Sequence, residues 1–364
     1  MAFPRGLITS YDITDNRIHI DDIFNKYQLP ETPFLNVVKV GDKIDSTILQ
    51  WYEDVPIPLE FKLTAKHSVP TSGSGTLAVE DASTLKVGNI LKYGQYLFQI
   101  INISSNTLTA TVLNNNDADI AAGSVLTLVS DANPEAASLV DSAVGQRVLR
   151  ENVTQIFTEY IKISGTQREL KQWVKNYDIW ADEVDRKLRK LRVMMERTLL
   201  NGVLHKPTNN TEPRLAGGVE YFINQYGIST TGKTLAEVNF KAVLEELWKK
   251  QASGIQVWMN AKTKEDFFNQ LLYAKVIVDR AETRAGMRIQ SYVCEYGEFE
   301  LYTSPHIEAG KIYFVNPANI EIRPLRPFVV EELAKTGDYV QAQIVGEYTF
   351  KIQDSGLMAV FTVG

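Results

Sequence analysis

The chain has 364 residues, 44% hydrophobic and 23% charged, an ordinary globular composition long enough for more than one domain. Its formal net charge of −6 has the wrong sign for a protein that grips nucleic acid through phosphates, and its single cysteine, Cys294, excludes an internal disulfide and a thiolate-rich zinc site. No run approaches the ~18 apolar residues of a membrane helix, and the first residues lack a basic stretch followed by an apolar core, so no signal peptide or membrane partner is expected and synthesis in a reducing cytoplasm fits.

Residues 1–36, with Pro4, Pro30 and Pro33, read as an arm without a core of its own. Val37 to Leu63 reads as two extended segments broken at Gly41-Asp42 and interrupted by Pro56 and Pro58. This stretch carries Trp51, Tyr52 and Phe61, large apolar groups on a segment too thin to bury them. Such groups meet a partner surface or fold back onto their own domain, and both readings stand at this point.

Composition shifts at residue 67 to a charge-poor, Gly/Ser/Thr/Asn-rich stretch. Short apolar runs recur between turn signals at Thr76–Val79, Ile90–Tyr93, Tyr96–Ile103, Thr107–Val112 and Val125–Val129, the pattern of a small β-barrel or sandwich. Residues 67–130 are therefore expected to form an inserted β-domain whose ends lie close together.

After Pro134 an extended piece runs over Glu151–Ser164, and Thr166 with Glu169 forms a capping box for a short helix. From Asp178 to Gly202, Trp180, Val184, Leu188, Leu191, Met195 and Leu199 make one helical stripe. Asp182, Glu183 and Asp185 each precede a base by four residues (Arg186, Lys187 and Arg189), which suits both the helix surface and its dipole, and Gly202 offers a left-handed stop. At 1.5 Å per residue this helix is roughly 35 Å long. A loop with Pro207, Pro213 and Gly217-Gly218 follows. Capping boxes at Thr234/Glu237 and Thr263/Asp266 are expected to open two more helices around a buried strand at Ile255–Met259, the second helix continuing without a break through Ala274–Asp279. The remainder reads as a hairpin around Gly297, a strand–turn–strand over Lys311–Arg323, and a closing hairpin of Tyr339–Gln353 with Leu357–Val363 around Asp354-Ser355-Gly356. Helices and strands are partly segregated, which argues α+β rather than a wound parallel sheet.

Gly227 to Thr234, GISTTGKT, formally matches the phosphate-cradling loop of a P-loop NTPase, with Lys233 to reach phosphate, Thr234 to bind magnesium, and Asp279 as an acidic strand residue. The residues before it include the polar Asn224 and Gln225 where a central strand should be apolar, and Thr234 has a simpler role as a cap. His19, His67, His205 and His306 are scattered without metal-ligand spacing, Cys294 sits in a strand pattern with no base marked for it, and no G-x-S-x-G elbow occurs. Glu331-Glu332 and the basic run Arg186–Arg192 read as solvated faces. No catalytic residue, cofactor or metal is expected.

Several short motifs resemble, in their order, the major capsid proteins of tailed phages with the Hong Kong 97 fold, and in particular the SU-ten-like branch. They are Asn152-Val153-Thr154-Gln155-Ile156-Phe157, Ile163-Ser164-Gly165-Thr166, Asp182-Glu183, Glu196–Gly202, Arg214-Leu215-Ala216-Gly217-Gly218, Leu325-Arg326-Pro327, Leu333–Asp338 and Gly346-Glu347-Tyr348-Thr349-Phe350. The resemblance implies an α+β capsid fold with a long spine helix, an extended loop and an inserted small all-β domain. It implies an N-terminal arm (1–36), an extended loop (37–66, returning over 131–165), the inserted β-barrel-like domain (67–130), a peripheral domain (166–216, closed by strands at 326–364) and an axial domain (217–325). The implied function is a non-enzymatic shell protein of the virion, made in the host cytoplasm and self-assembling as pentamers and hexamers around phage DNA that it contacts non-specifically at most. Portal, scaffolding or decoration proteins are implied partners, and Trp51, Tyr52 and Phe61 are the candidate subunit-interface residues. A cellular nanocompartment shell of the same fold is the related alternative, and a P-loop NTPase the alternative of another class.

Overall fold

The computed structural model describes residues 32–54, 58–69, 74–114, 118–132, 147–170, 179–209, 211–271, 277–284 and 287–364. Residues 1–31 of the arm expected over 1–36, with His19, lie outside the described residues; its last residues are corrected, because Pro33–Val37 is a short helix whose Phe34 and Leu35 are buried in the core of the larger unit. The chain divides into two compact units, Met1–Trp51 with Leu149–Gly364, and Tyr52–Val148.

The smaller unit is all β among its described residues. Strands occur at Ser74–Ala78, Asn89–Tyr93, Tyr96–Ser104, Thr107–Val112 and Val125–Asp131, each overlapping an expected one. With Glu60–Lys62 they form a six-stranded sheet in the order 60–62, 125–131, 89–93, 96–104, 107–112, 74–78. An antiparallel bridge between Leu63 and Val79 joins its two ends, giving a barrel-like closure. Alternation along the strands sends Phe61, Leu63, Leu77, Leu91, Phe98, Ile100, Leu108, Ala110 and Leu126 into one core. The unit is thus wider than the expected 67–130: the strand carrying Phe61 pairs in register with Val125–Thr127 and contributes core residues.

The larger unit is built on the long helix, Ile179–Asn201, which ends one residue before the expected Gly202. Leu191, Met195, Leu199 and Leu200 are buried, and Trp180, Val184 and Leu188 pack beside them. Arg186 pairs with Asp182 (3.1 Å) and Arg189 with Asp185 (2.8 Å) as expected. Lys187 instead turns to Glu159 (3.1 Å) on the strand beneath, where Lys190 also lands. Burial works to raise the Glu159 pKa, but the two ammonium groups outweigh it and the carboxyl titrates below its ordinary range. Gly202 is not in the left-handed region. A Cβ there would collide with the Thr198 and Ala216 carbonyl oxygens, so the glycine serves close chain approach at the helix end.

A four-stranded sheet in the order Lys39–Val40, Ile320–Leu333, Tyr339–Ile352, Gln155–Ser164 packs on this helix. A seven-stranded sheet runs Ile228–Lys233, Ala359–Val363, Lys311–Val315, Gln256–Met259, Gly297–Thr303, Met287–Cys294, Ile277–Arg284. Against it helix Glu237–Lys249 buries Phe240, Val243, Leu244 and Leu247, and helix Ala261–Leu271 buries Phe267.

Several local expectations are corrected. Tyr339–Ile352 does not pair with the terminal strand. It pairs along its length with Ile320–Leu333, while Ala359–Val363 joins the other sheet after a turn that begins at Asp354 in the left-handed region. The short helix at Gly165–Glu169 is capped by Ser164, whose hydroxyl accepts from the Gln167 amide at 3.3 Å, with Thr166 inside the helix. Helix Glu237–Lys249 starts after Ala236 without a side-chain cap, and Thr234 receives the Asn239 amide on its carbonyl instead. Thr263 lies within Ala261–Leu271, where its buried hydroxyl accepts from the Gly310 amide. The helix does not continue through Asp279, because Ile277–Arg284 is a strand paired with Met287–Cys294. For the closing strands, Thr263 and Ile277–Arg284 a tertiary partner displaces the local preference, whereas at Ser164 and Thr234 another local hydrogen bond takes its place.

Candidate subunit interface

Strands Ile48–Asp54 and Arg147–Val153 form a two-stranded ribbon. The period of two gives it unlike faces. Inward, Trp51 is buried with its ring 5.7 Å from Phe222, and the Arg150 guanidinium lies 3.4 Å above the Tyr226 ring centroid. Both aromatic partners belong to helix Val219–Tyr226. Outward, Ile48, Tyr52 and Leu149 are 43%, 69% and 46% exposed. The Gln50 amide (3.3 Å) and the Lys206 ammonium hold the Glu151 carboxylate on this face, Lys206 foremost in keeping its pKa below the ordinary range.

The expectation for the three large side chains is therefore corrected for two of them. Trp51 and Phe61 fold back into cores of their own chain, Trp51 on Phe222 and Phe61 in the β-barrel. Tyr52, one residue from Trp51 and on the opposite face, is left in solvent.

At the base of the ribbon, motif residues that are far apart in sequence converge. The fully buried Asn152 side chain donates to the carbonyls of Gly217 (2.9 Å) and Phe350 (2.8 Å) and accepts from the amides of Gly217 (2.8 Å) and Val153 (2.9 Å). Next to it the buried Glu347 carboxylate takes the Thr154 hydroxyl at 2.6 Å, Arg214 at 2.8 Å and Arg326 at 3.2 Å. Thr349 donates to the Val153 carbonyl at 2.8 Å. Every hydrogen-bonding position of Asn152 is used, so this junction is a satisfied structural lock. Composition and periodicity carry no signal for it; only the short motifs Asn152-Val153-Thr154, Arg214–Gly218 and Gly346–Phe350 mark it.

The segment matching a phosphate loop has another geometry. Ile228–Lys233 is an edge strand parallel to Ala359–Val363. A Cβ on Gly227 would strike the carbonyl oxygens of Ser355 and Met358, so this glycine fits against protein backbone and leaves no phosphate cradle. Asp279 lies on the opposite edge of the same seven-stranded sheet, six strand spacings or roughly 29 Å away. Lys233→Ala is accordingly expected to leave folding and assembly unchanged, with no ATP heat in isothermal titration for either protein; loss of assembly by a folded variant would restore the nucleotide reading.

The histidines are separate. His67 accepts the Ala78 amide at 2.9 Å, His205 lies 3.5 Å from Glu212, and His306 is buried near Ser304. Cys294 packs against the core of the seven-stranded sheet. Among the described residues no group of His, Cys, Asp and Glu could hold a metal ion, and no helix is long and apolar enough to cross a membrane.

Three solved structures share this fold. The cyanophage A-1(L) capsid asymmetric unit matches 98% of this chain and 99% of its own with 9% identity and a TM-score of 0.57. The capsid of the native GTA particle matches 98% and 97% with 10% identity and a TM-score of 0.55. Microbacterium phage Oxtober96 matches 96% of each chain with 8% identity and a TM-score of 0.51. Identities this low speak for the fold alone, the capsid fold of the Hong Kong 97 type. No curated protein matches the sequence. The sequence model of the SU10 major capsid protein matches residues 7–363, nearly the whole chain. The related alternative, a cellular nanocompartment shell, yields to that match, and the role is that of a shell-forming structural protein of the virion capsid that assembles with itself. This chain belongs to the SU10 major capsid protein family.

Proposed function

We propose that this chain builds an icosahedral phage head from pentamers and hexamers, and that the outward face of the 48–54/147–153 ribbon is where one subunit grips the next. The carrying observation is the two-sidedness of that ribbon. Its inner face is held on Val219–Tyr226 through Trp51 and Arg150, while its outer face keeps Ile48 and Leu149 in solvent and Tyr52, the next residue along the strand from Trp51, is exposed as well. A pre-ordered aromatic with aliphatic neighbours is the composition of an interface centre, and little ordering entropy remains to be lost there on binding.

On this reading the 48–54/147–153 ribbon is the part of the extended loop that lies over a neighbour, and residues 217–325 contribute the axial domain. The shell carries no enzymatic activity and needs no cofactor. The net charge of −6 suits an inner wall that contacts packaged DNA weakly. Portal, scaffolding and decoration proteins are the further partners, and synthesis is in the host cytoplasm.

Tyr52→Arg tests the interface. A cation at the centre of a desolvated contact costs several kcal/mol per interface, and a shell repeats each interface many times. The subunit should melt as the parent does, whereas closed particles counted by electron microscopy should fall at least about tenfold. Undiminished particle yield would sink the assignment of this face.

A further inference from the structure

Glu196 sits on the buried stripe of the long helix, among Leu191, Met195, Leu199 and Leu200, with no exposed surface. Among the described residues no cation lies within ion-pair distance of it. Neutral donors hold its carboxyl group instead. The Leu35 amide reaches Oε2 at 3.2 Å and the Ser304 hydroxyl reaches Oε1 at 2.9 Å. These donors come from two distant segments. Phe34 and Leu35 open the short helix Pro33–Val37, and Ser304 follows strand Gly297–Thr303. Both segments are otherwise fixed: the Phe34 ring packs edge-on to Trp258 at 4.9 Å, and the Ser304 amide donates to the Met259 carbonyl at 3.1 Å. One carboxyl group thus joins three pieces of the chain.

A carboxylate enclosed without a counter-ion pays for lost hydration, and such a group shifts its pKa toward the neutral form. Burial pushes Glu196 up to about 7, against the smaller downward pulls of Ser304, Leu35, Phe34 and the Arg192 charge.

We propose that Glu196 is a proton-operated latch that docks the 33–37 segment onto the long helix, fastened by acid and loosened by base. In the neutral form Oε2 remains a carbonyl acceptor for the Leu35 amide, and the proton on Oε1 is donated to Ser304 Oγ. When the segment lifts and water reaches the carboxyl group, its pKa returns to the ordinary 4.5. Docking therefore gains from protonation. The gain is fully present below pH 4.5 and is lost as pH rises through about 7. The two values bound the change in the docking equilibrium at about 300-fold.

The other ionisable groups at the junction are few. Residues 33–37 contribute none. Arg192, one turn earlier on the helix, binds Asn36 Oδ1 at 3.2 Å. The sheet brings Tyr302, stacked on Trp258. His306 is buried two residues beyond Ser304, its amide donating to Ser304 Oγ, and is the one group here whose ordinary titration overlaps the same window.

Hydrogen exchange by mass spectrometry on assembled full-length protein tests the latch. Amide protection over residues 34–38 is followed from pH 5.5 to 8.5, corrected for intrinsic rates, with residues 256–259 as the reference. Wild-type protection should fall at least about tenfold from pH 5.5 and level off just above pH 7, while the reference stays flat. Glu196→Gln should hold high protection at pH 8.5 and lose the slope. Ser304→Ala, which removes a donor to the charged form, should move the levelling-off point to higher pH even if the Gln variant fails to fold. His306→Asn should keep the slope. A flat wild-type profile, an unmoved levelling-off point in Ser304→Ala, or a slope that vanishes with His306 would each overturn the proposal.

Discussion

Asn152→Ala is expected to be the most damaging substitution in the ribbon and its base. It removes four hydrogen bonds at a fully buried position and leaves the Gly217 and Val153 amides and the Gly217 and Phe350 carbonyls without these partners. A buried backbone group stripped of its partner costs ~1–3 kcal/mol, and four such groups at the low end of that range, with a small cavity, give a loss of about 4 kcal/mol or more. For a unit of this size that is roughly 10 °C in calorimetric melting temperature. Asn152→Asp separates shape from chemistry. It keeps the volume and an acceptor for Gly217 but turns an anion toward two carbonyl oxygens, so it should be at least as harmful at pH 8. Burial among acceptors would raise the new carboxyl's pKa, so its stability contribution is present at low pH and is lost as pH rises through that value; the Asp variant should recover part of its stability at pH 5. A melting temperature within 2 °C of the parent for Asn152→Ala would mean that water or a backbone shift replaces the side chain, and that the junction is not a lock.

That junction also marks what can be read from the chain itself. Elements whose signal is local were legible. The strands of the β-barrel follow from alternation between turn residues, and the long helix from its stripe at Val184, Leu188, Leu191, Met195 and Leu199 together with its ordered charges. What failed depended on distant partners. Trp51 looked exposed because Phe222, which covers it, lies far along the sequence, and Phe61 because its strand pairs with Val125–Thr127. The closing strands were matched to each other because they are adjacent. Their true partners could not be seen, since Pro324 and Pro327 interrupt the pattern of Ile320–Leu333 and the pairing slips at Pro324/Arg326 and Arg326/Val329. The proposed interface face is half legible: the aromatic pair Trp51-Tyr52 marks the segment, but only the inward placement of Trp51 shows that Tyr52 is the one left outside. Asn152 and Glu347 bond across 198 and 193 residues, a separation at which neither periodicity nor propensity has anything to report.

Glu347→Ala should cost about 3 kcal/mol in the unassembled subunit, for a different reason than Asn152. The Glu347 side chain is 4% exposed and serves three donors from three places in the chain, Thr154, Arg214 and Arg326. Replacing a buried ion pair with well-packed apolar groups can be neutral, but removing one partner strands the charge that remains, and such truncations cost ~3–5 kcal/mol when both partners are deeply buried. Here the arginines are 32% and 57% exposed, so water can rehydrate them in part, which places the loss at the low end of that range. The two arginines should not share the effect equally. Arg214, closer at 2.8 Å and less exposed, should show a double-mutant coupling to Glu347 of about 2 kcal/mol, and Arg326 at 3.2 Å less than about 1. Glu347→Gln keeps the shape and an acceptor for the Thr154 hydroxyl, so it should lose about half as much as alanine. Chemical denaturation of the four single and two double variants measures all of these. Equal couplings for the two arginines would contradict the burial argument, and a loss below about 0.5 kcal/mol for Glu347→Ala would make the carboxylate a bystander at the ribbon base.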